Sequence, residues 1–305
     1  MSKILAVVVT YHPKIAQLER LLALLMPQVQ ESIIIDNSAT TILTDWFNQQ
    51  IHQYNAVKLI NPSKNLGLGA AHNLGIQYAK QYDYDFVLQF DQDSLPHPDM
   101  VAQLITAYQQ LFAQGHKVAA VGPNWVDKEH GSKATYLQYN GYRVSRRQCP
   151  IDKNGAFIAA DYLITSGCLI PVHVLEDVGN LNEALFIDFV DIEWGLRAKS
   201  KGYQCFGVCS AVLIHELGDE TVKFLGRKFH SHSPLRHYYI IRNATILLKR
   251  DYLSRGWKLN ALKSLVLQLG IYPLVFKPRL QHLKMMLIGL WHGIRGLSGF
   301  YYNKN

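Results

Sequence analysis

Two carboxylates one residue apart, in Asp91-Gln92-Asp93, follow the apolar run from Asp85 to Phe90 and precede Ser94-Leu95-Pro96. Hard oxygen ligands so close together suit a divalent cation such as Mg2+ or Mn2+, which commonly bridges carboxylates to phosphate groups. Aspartate is also a turn and cap residue, so a solvated turn is the competing use of the same side chains. A second acidic set, Asp188, Asp191 and Glu193, falls within Leu185 to Arg197 beside Trp194. A carboxylate next to an acceptor hydroxyl can act as general base, an effect worth about 10² to 10⁴ in rate. Acids in a first helical turn also complement the helix dipole, which is the plainer reading of this cluster.

A third set comes later in the chain: His215, then Arg227, Lys228, His230, His232, Arg236, His237 and Arg242-Asn243. A histidine there can complete a metal shell, and arginines hold diphosphates through paired donors. The segment from Asn61 to Asn73, with Lys64, Asn65 and the glycines at 67 and 69, follows an apolar run and opens a helical pattern. Its backbone N–H groups from Gly67 to Ala70 can face an anion at a helix N-terminus. It is no dinucleotide fingerprint, because His72 stands where glycine or alanine is needed, and no Walker A loop, because Lys64 precedes the glycines. A plain tight turn is the alternative. Cys168, after Ser166-Gly167, has no acid beside it and reads as a buried thiol.

These groups need a scaffold that brings chain ends together. Residues 4–10, 32–35, 57–60 and 86–90 read as strands, and residues 14–25, 69–81 and 100–114 carry apolar positions at helical spacing. Such alternation predicts a mostly parallel sheet with helices on both faces, whose ligands gather beyond the carboxyl ends of the strands. Thr10-Tyr11, Asp36-Asn37 and Asp91-Gln92-Asp93 all stand at such ends. After the strand at 118–122, residues 124–149 read as a loop or small hairpin over the site. Strand character returns at 160–170, interrupted at Ser166-Gly167, and the spacing predicts helices over 172–178 and 186–201, a strand over 204–215, and helices near 234–254 and 257–276.

The chain has 305 residues, 49% of them hydrophobic and 18% charged, enough for a large core. Four cysteines, at 149, 168, 205 and 209, lack a CxxC pair, which predicts free thiols in a reducing, cytoplasmic setting and no structural zinc. Of the net charge of +8, the stretch from Lys249 onward holds ten Lys/Arg against one acid, Asp251. A basic excess confined to an apolar tail points to an anionic membrane surface and away from nucleic acid. Residues 259–276 and 284–300 are interrupted by Lys263, Gln268, Pro273, His292 and Arg295, so they fit interfacial helices better than membrane spans. Covering the catalytic core or forming a homo-oligomer contact is the other use for that tail.

Taken in order, Val7-Val8-Val9-Thr10-Tyr11-His12-Pro13, Ile34-Ile35-Asp36-Asn37, Asn65-Leu66-Gly67-Leu68-Gly69 with Asn73, Asp91-Gln92-Asp93, Ser166-Gly167-Cys168 and Phe186 to Trp194 resemble glycosyltransferase family 2. The wording of Phe186 to Trp194, with His215 and the later His232 to Asn243 segment, is similar to its bacterial dTDP-rhamnosyltransferase branch. The resemblance, over about residues 3–245, implies a GT-A fold over residues 1–250, with a nucleotide half to about 122 and an acceptor half beyond it, while the composition of residues 251–305 predicts a helical membrane-association region there. The resemblance implies that Thr10, Tyr11, Asp36, Asn37, Lys64, Asn65, Gly67, Asn73 and Asp91 border the nucleotide. Asp93, Asp91 and His215 would hold the metal, and Asp191 would be the catalytic base. Glu193, Ser166, Gly167, Asp188, Trp194, Arg236 and Arg242 would serve the acceptor or diphosphate. Val190 stands where many members carry a Glu before the base, a departure from the paired-acid acceptor site that leaves the base itself in place. The implied reaction inverts dTDP-β-L-rhamnose onto a lipid-linked or lipopolysaccharide-type glycan at the inner membrane face. Another nucleotide sugar, a UDP-hexose or UDP-galactofuranose, is the alternative donor. A sugar-phosphate nucleotidyltransferase would need a Gly-rich basic loop after the first strand, where Thr10-Tyr11-His12-Pro13 stands. A degenerate membrane scaffold is disfavoured by the intact acids at 91, 93 and 191.

Overall fold

A computed structural model describes residues 2–50, 55–127, 133–150, 155–215, 221–224 and 227–302. The first strands are β1 (Ile4–Thr10), β2 (Glu31–Asp36), β3 (Val57–Ile60) and β4 (Phe86–Asp91), connected through helices α1 (Ile15–Leu25), α2 (Ile42–Gln50) and α3 (Leu68–Gln81). All seven residues of β1 are buried, which is why the strand reads as an unbroken apolar run. Alternate residues still serve opposite faces. Leu5, Val7 and Val9 join the core under α3, while Ile4, Ala6 and Val8 join the one formed with Leu18, Leu21 and Leu22 of α1.

Next come β5 (Ser94–Pro96), α4 (Met100–Ala113), β6 (Val118–Val126), the hairpin β7 (Tyr136–Asn140) and β8 (Arg143–Arg147), then β9 (Phe157–Ala160) and β10 (Cys168–Pro171). Helices α5 (Val172–Val178) and α6 (Val190–Ser200), strand β11 (Gln204–His215) and a small ribbon of β12 (Thr221–Phe224) with β13 (Arg227–His230) follow, and the described chain ends in α7 (Pro234–Leu247), α8 (Arg255–Val275) and α9 (Arg279–Arg295). The main sheet runs β3-β2-β1-β4-β10-β6-β11-β5, with β9 on β11. β10 enters antiparallel between β4 and β6, so the mixed, mostly parallel sheet joins the early and late segments into one surface. Parallel register aligns Thr10 with Asp36 and Val9 with Asp91, placing three polar strand ends at one edge.

Several local expectations need correction. The helix expected over 186–201 begins at Val190. Phe186, Asp188 and Phe189 have positive φ, and the Asn243 side-chain amide donates to the carbonyls of Leu185, Ile187 and Asp188 at 2.9, 2.7 and 3.0 Å. These long-range bonds satisfy carbonyls that a helix would otherwise use, so a turn wins. Helix α2 was not read from the sequence, and α7 stops at Leu247, seven residues before the expected end. The strand expected over 160–170 is two strands, β9 and β10. Cys149 and Cys209 form a disulfide with Cα atoms 5.4 Å apart, tying the segment after β8 to β11, contrary to four free thiols. Cys168 and Cys205 are free and buried.

Among the described residues no helix is long and apolar enough to cross a membrane. Helix α9 packs along α7 at glycine contacts. A Cβ on Gly289 would lie 2.5 Å from the Tyr238 carbonyl oxygen, and one on Gly293 would lie 2.5 Å from Thr245 Cβ. The opposite side of α9 carries exposed Leu280, Leu287, Trp291 and Ile294.

Candidate active site

A cleft of about 1120 Å³ opens at the carboxyl edge of β1 and β4. Its walls come from Thr10 and Tyr11 at the end of β1, Asn37 after β2, Asn65, Gly67 and Leu68 at the start of α3, and Asp91, Gln92 and Asp93 at the end of β4. The other side is built from Phe186 to Ile192 and from Ser233, Leu235, Arg236, Tyr239 and Ile240 around α7.

Local bonds explain why the first group converges. Thr10 Oγ1 donates to Asp36 Oδ1 at 3.1 Å, as does the Ser38 N–H at 3.1 Å, locking the ends of β1 and β2 together. Asn37 Nδ2 donates to the Gly67 carbonyl at 3.1 Å and its Oδ1 accepts from Leu66 N–H at 3.2 Å. Gly67 has φ +83, and a Cβ there would sit 2.6 Å from Phe186 atoms, so the entry to α3 requires glycine twice over. Tyr11 N–H donates to Gln92 Oε1 at 2.7 Å, joining the β1 and β4 loops.

The Asp91 carboxylate accepts from Ser166 Oγ at 2.7 Å, and Ser94 Oγ donates to the same Ser166 oxygen at 3.0 Å. Asp93 follows on the turn into β5, where Ser94 pairs with His215 of β11. The backbone of His215 thus lies beside the acidic loop, while its side chain is outside the described residues. Two carboxylates on one strand end are a hard oxygen set, so Asp91 and Asp93 fit a divalent cation. Among the described residues no cluster of three or more His, Cys, Asp or Glu gathers as a metal shell.

Across the cleft, Asp188 and Arg236 form an ion pair at 3.2 Å. Asp191 stands in the first turn of α6 with Oδ1 accepting from the Ile192 N–H at 2.8 Å. Burial pushes its carboxyl up to about 6, and the nearby negative charges of Asp91 and Asp188 push the same way, against the Ile192 N–H. A carboxyl of that strength is half ionised near pH 6 and can accept a proton at neutral pH.

The remaining residues singled out in the sequence are not cleft-lining. Asp36 is fully buried beneath it, and Lys64 is an exposed neighbour. Asn73 is buried, bonding the Leu181 backbone and Glu183. Ser166 supports Asp91 from behind, and the Gly167 N–H donates to Gln89 O at 2.8 Å. Glu193, 1% exposed, is paired with Arg197, and Trp194 Nε1 donates to the Gly179 carbonyl at 2.9 Å. Arg242 is buried and bonds backbone carbonyls. Sequence reasoning missed Gln92, Thr165, Phe186, Phe189, Tyr239 and Phe300 as lining residues. Of these, Gln92 carried a signal, lying between the two acids at a strand end.

Residues 3–229 match the profile of the family described as Glycosyltransferase like family 2. The chain belongs to that family. This glycosyltransferase is 29% identical over 304 residues, 98% of its own length and 97% of the relative's, to the dTDP-rhamnosyl transferase RfbF of Shigella flexneri. Its fold is shared with GalNAc-T7, solved with UDP, GalNAc and Mn2+, at a TM-score of 0.59 and 12% identity, covering 86% of this chain and 55% of that one. The mannosyltransferase PcManGT from Pyrobaculum calidifontis, in complex with GDP-Man and Mn2+, superposes at a TM-score of 0.53 with 15% identity, covering 99% and 88% of the two chains. The GT-A expectation is therefore met for this transferase.

Proposed function

We propose that the enzyme transfers L-rhamnose from dTDP-β-L-rhamnose to a glycan hydroxyl in one inverting displacement, with Asp191 as general base. The observation that carries the reading is the placement of Asp191 on the wall of a cleft whose other wall holds Thr10, Tyr11 and Asn37. The near full-length similarity to a dTDP-rhamnosyl transferase favours the thymidine nucleotide and rhamnose.

In this mechanism Thr10, Tyr11, Asn37, Asn65 and Gly67 border the nucleotide, with Asp36 fixing Thr10 from below. Asp91 and Asp93 would hold a Mg2+ or Mn2+ ion, which when bound supplies positive charge against the leaving diphosphate. Arg236 lies in the same cleft with donors suited to a diphosphate. The acceptor O–H gives its proton to the Asp191 carboxylate as the oxygen bonds to the anomeric carbon. The bond from that carbon to the diphosphate oxygen breaks, and dTDP leaves. Attack from the face opposite the leaving group turns a β-linked donor into an α-rhamnoside.

The acceptor is read as a lipid-linked glycan, because the tail combines exposed apolar residues on α8 and α9 with Lys258, Lys263, Lys277, Arg279, Lys284 and Arg295. That composition suits the anionic surface of a cytoplasmic membrane.

A panel of nucleotide sugars with Mg2+ or Mn2+, scored by released nucleotide, tests the donor. dTDP-rhamnose is expected to give the fastest release. Faster release from a UDP-hexose or UDP-galactofuranose would replace rhamnose in this reading. Asp191→Asn is expected to bind dTDP within about twofold of wild type while losing transfer by about 10² or more, the worth of a general base. Wild-type turnover in that variant removes Asp191 from the role.

A further inference from the structure

Arg242 is 1% exposed and the reaction gives it nothing to do, yet it spends its donors on two distant backbone segments. Its Nη1 donates to the Gly299 carbonyl at 2.5 Å, and Nη2 donates to the Leu185 carbonyl at 2.9 Å. The guanidinium also lies 4.8 Å from the Tyr239 ring centroid. Two more bonds bind the same strap: Gly299 N–H to the Ala184 carbonyl at 2.7 Å and Tyr301 N–H to the Tyr239 hydroxyl at 2.9 Å. A buried cation satisfied by carbonyls holds those segments firmly, because releasing either would leave charge unsolvated.

What the strap positions is Phe300. Its ring meets Phe186 edge-on with centroids 5.3 Å apart, and Phe186 stacks on Tyr239 at 5.1 Å. Phe186 and Tyr239 are 8% and 2% exposed and form the support, whereas Phe300 is 47% exposed. All three line the cleft. The result is a braced aromatic ring offered to whatever enters on the α7 side.

We propose that Phe300 is an acceptor platform that stacks against the apolar C–H face of a pyranose ring, with Phe186 and Tyr239 bracing it. The inference rests on the reading of the cleft as a glycosyl-transfer site. A sugar ring fits better than a hydrocarbon chain, since Asp188, Arg236 and Ser233 line the same cleft and can meet hydroxyls at the ring's edge. A hydrocarbon would desolvate the Asp188–Arg236 pair with nothing in return. The platform also gives Arg242 its purpose, as a positioning residue that acts through the strap.

Saturation-transfer NMR on the full chain with dTDP and Mg2+ tests this, using millimolar methyl pyranosides of glucose, galactose, mannose, N-acetylglucosamine and rhamnose as probes. At least one probe is expected to receive saturation on its ring C–H protons. Phe300→Ala and Phe300→Leu are expected to weaken its binding about threefold to tenfold, the worth of one aromatic contact, while Phe300→Trp retains it. Calorimetry with dTDP should stay within about twofold across the variants, which also reports that the fold is intact. The proposal is overturned if no probe responds with the wild type, or if Phe300→Ala leaves the response unchanged. It is equally overturned if Phe300→Ala selectively abolishes dTDP binding and Phe300→Trp restores it, which assigns the ring to the nucleotide. If dTDP binds neither wild type nor variant while the pyranoside response still follows Phe300, the donor reading fails and the platform stands.

Discussion

Burying Asp191 has a thermodynamic price that its neighbours relieve only in part, through the Ile192 N–H. Its carboxyl titrates near 6 against an ordinary 3.8, chiefly through burial, so the folded protein holds that proton more tightly than the unfolded chain does. Below both values the two states carry the same proton and the group contributes no difference. As pH rises from about 4 to 6 the unfolded chain ionises first, so folding stability falls, and above 6 the loss is complete. Asp191→Asn is therefore expected to be more stable than wild type at pH 8 by on the order of 1 to 3 kcal/mol, with the gain vanishing by pH 4. Urea denaturation at the two pH values checks it; an equal difference at both would assign the effect to packing. Activity should move the opposite way, with wild-type turnover rising as pH passes through about 6, because only the ionised carboxylate accepts a proton. A flat rate between pH 5 and 7 would contradict a base of that strength.

Helix α6 separates two carboxylates that look alike in sequence. Asp191 lines the cleft, while Glu193 is held by Arg197 Nε and Nη2 at 2.8 and 3.0 Å and by the Tyr252 hydroxyl at 2.5 Å. Arg197 goes on to donate to the Val178 and Asn180 carbonyls at 2.6 and 2.8 Å, so the pair ties α6 to the end of α5. Glu193→Ala strands a largely buried guanidinium and is expected to destabilise by about 3 to 5 kcal/mol, with Glu193→Gln milder. Denaturant titration reads this directly, and a loss below about 1 kcal/mol would make the pair a surface ornament. The strand ends at Thr10, Asp36 and Asp91 were legible because fully buried parallel strands read as apolar runs that stop at a polar residue. The turn at 186–189 was not, since Phe186, Phe189 and Val190 continue helical spacing and only Asn243, 55 residues beyond Asp188, decides otherwise. Leu43, Trp46 and Phe47 did carry a helical signal for α2, but over too few turns to stand out. Glu193, Trp194 and Arg242 have the residue types of a site, and nothing local to them announces that they are buried.

At the scale of the whole molecule the tail packs on the core on one side and leaves exposed apolar residues on the other. Trp257, 3% exposed, belongs to a core with Tyr139, Leu196 and Leu247, so removing the chain from that residue onward would breach the fold and could not isolate surface binding. Point changes can. Trp291→Ser with Leu280→Ser is expected to weaken sedimentation with phosphatidylglycerol vesicles by about tenfold or more, from the loss of two exposed apolar side chains that would enter the membrane surface. Lys284→Glu should make the remaining binding still weaker and less salt-sensitive. No binding of wild type to such vesicles, or equal binding of the double variant, would return the α8 and α9 outer faces to another use. Phe300 could not be anticipated as a cleft residue, because its place depends on how residues past 250 fold back on α7.

The insertion of β10 has a further consequence. Its four residues arrive from position 168 onward, yet they seal the gap between β4 and β6, which end by residues 91 and 126. A chain cut at Gly122 would carry two bare strand edges in the middle of its sheet, where natural proteins avoid leaving them. The proposed nucleotide half is thus no detachable cassette. Swapping it between relatives to change the donor would break a shared seam, so donor choice in this architecture is open to revision residue by residue and closed to exchange of halves.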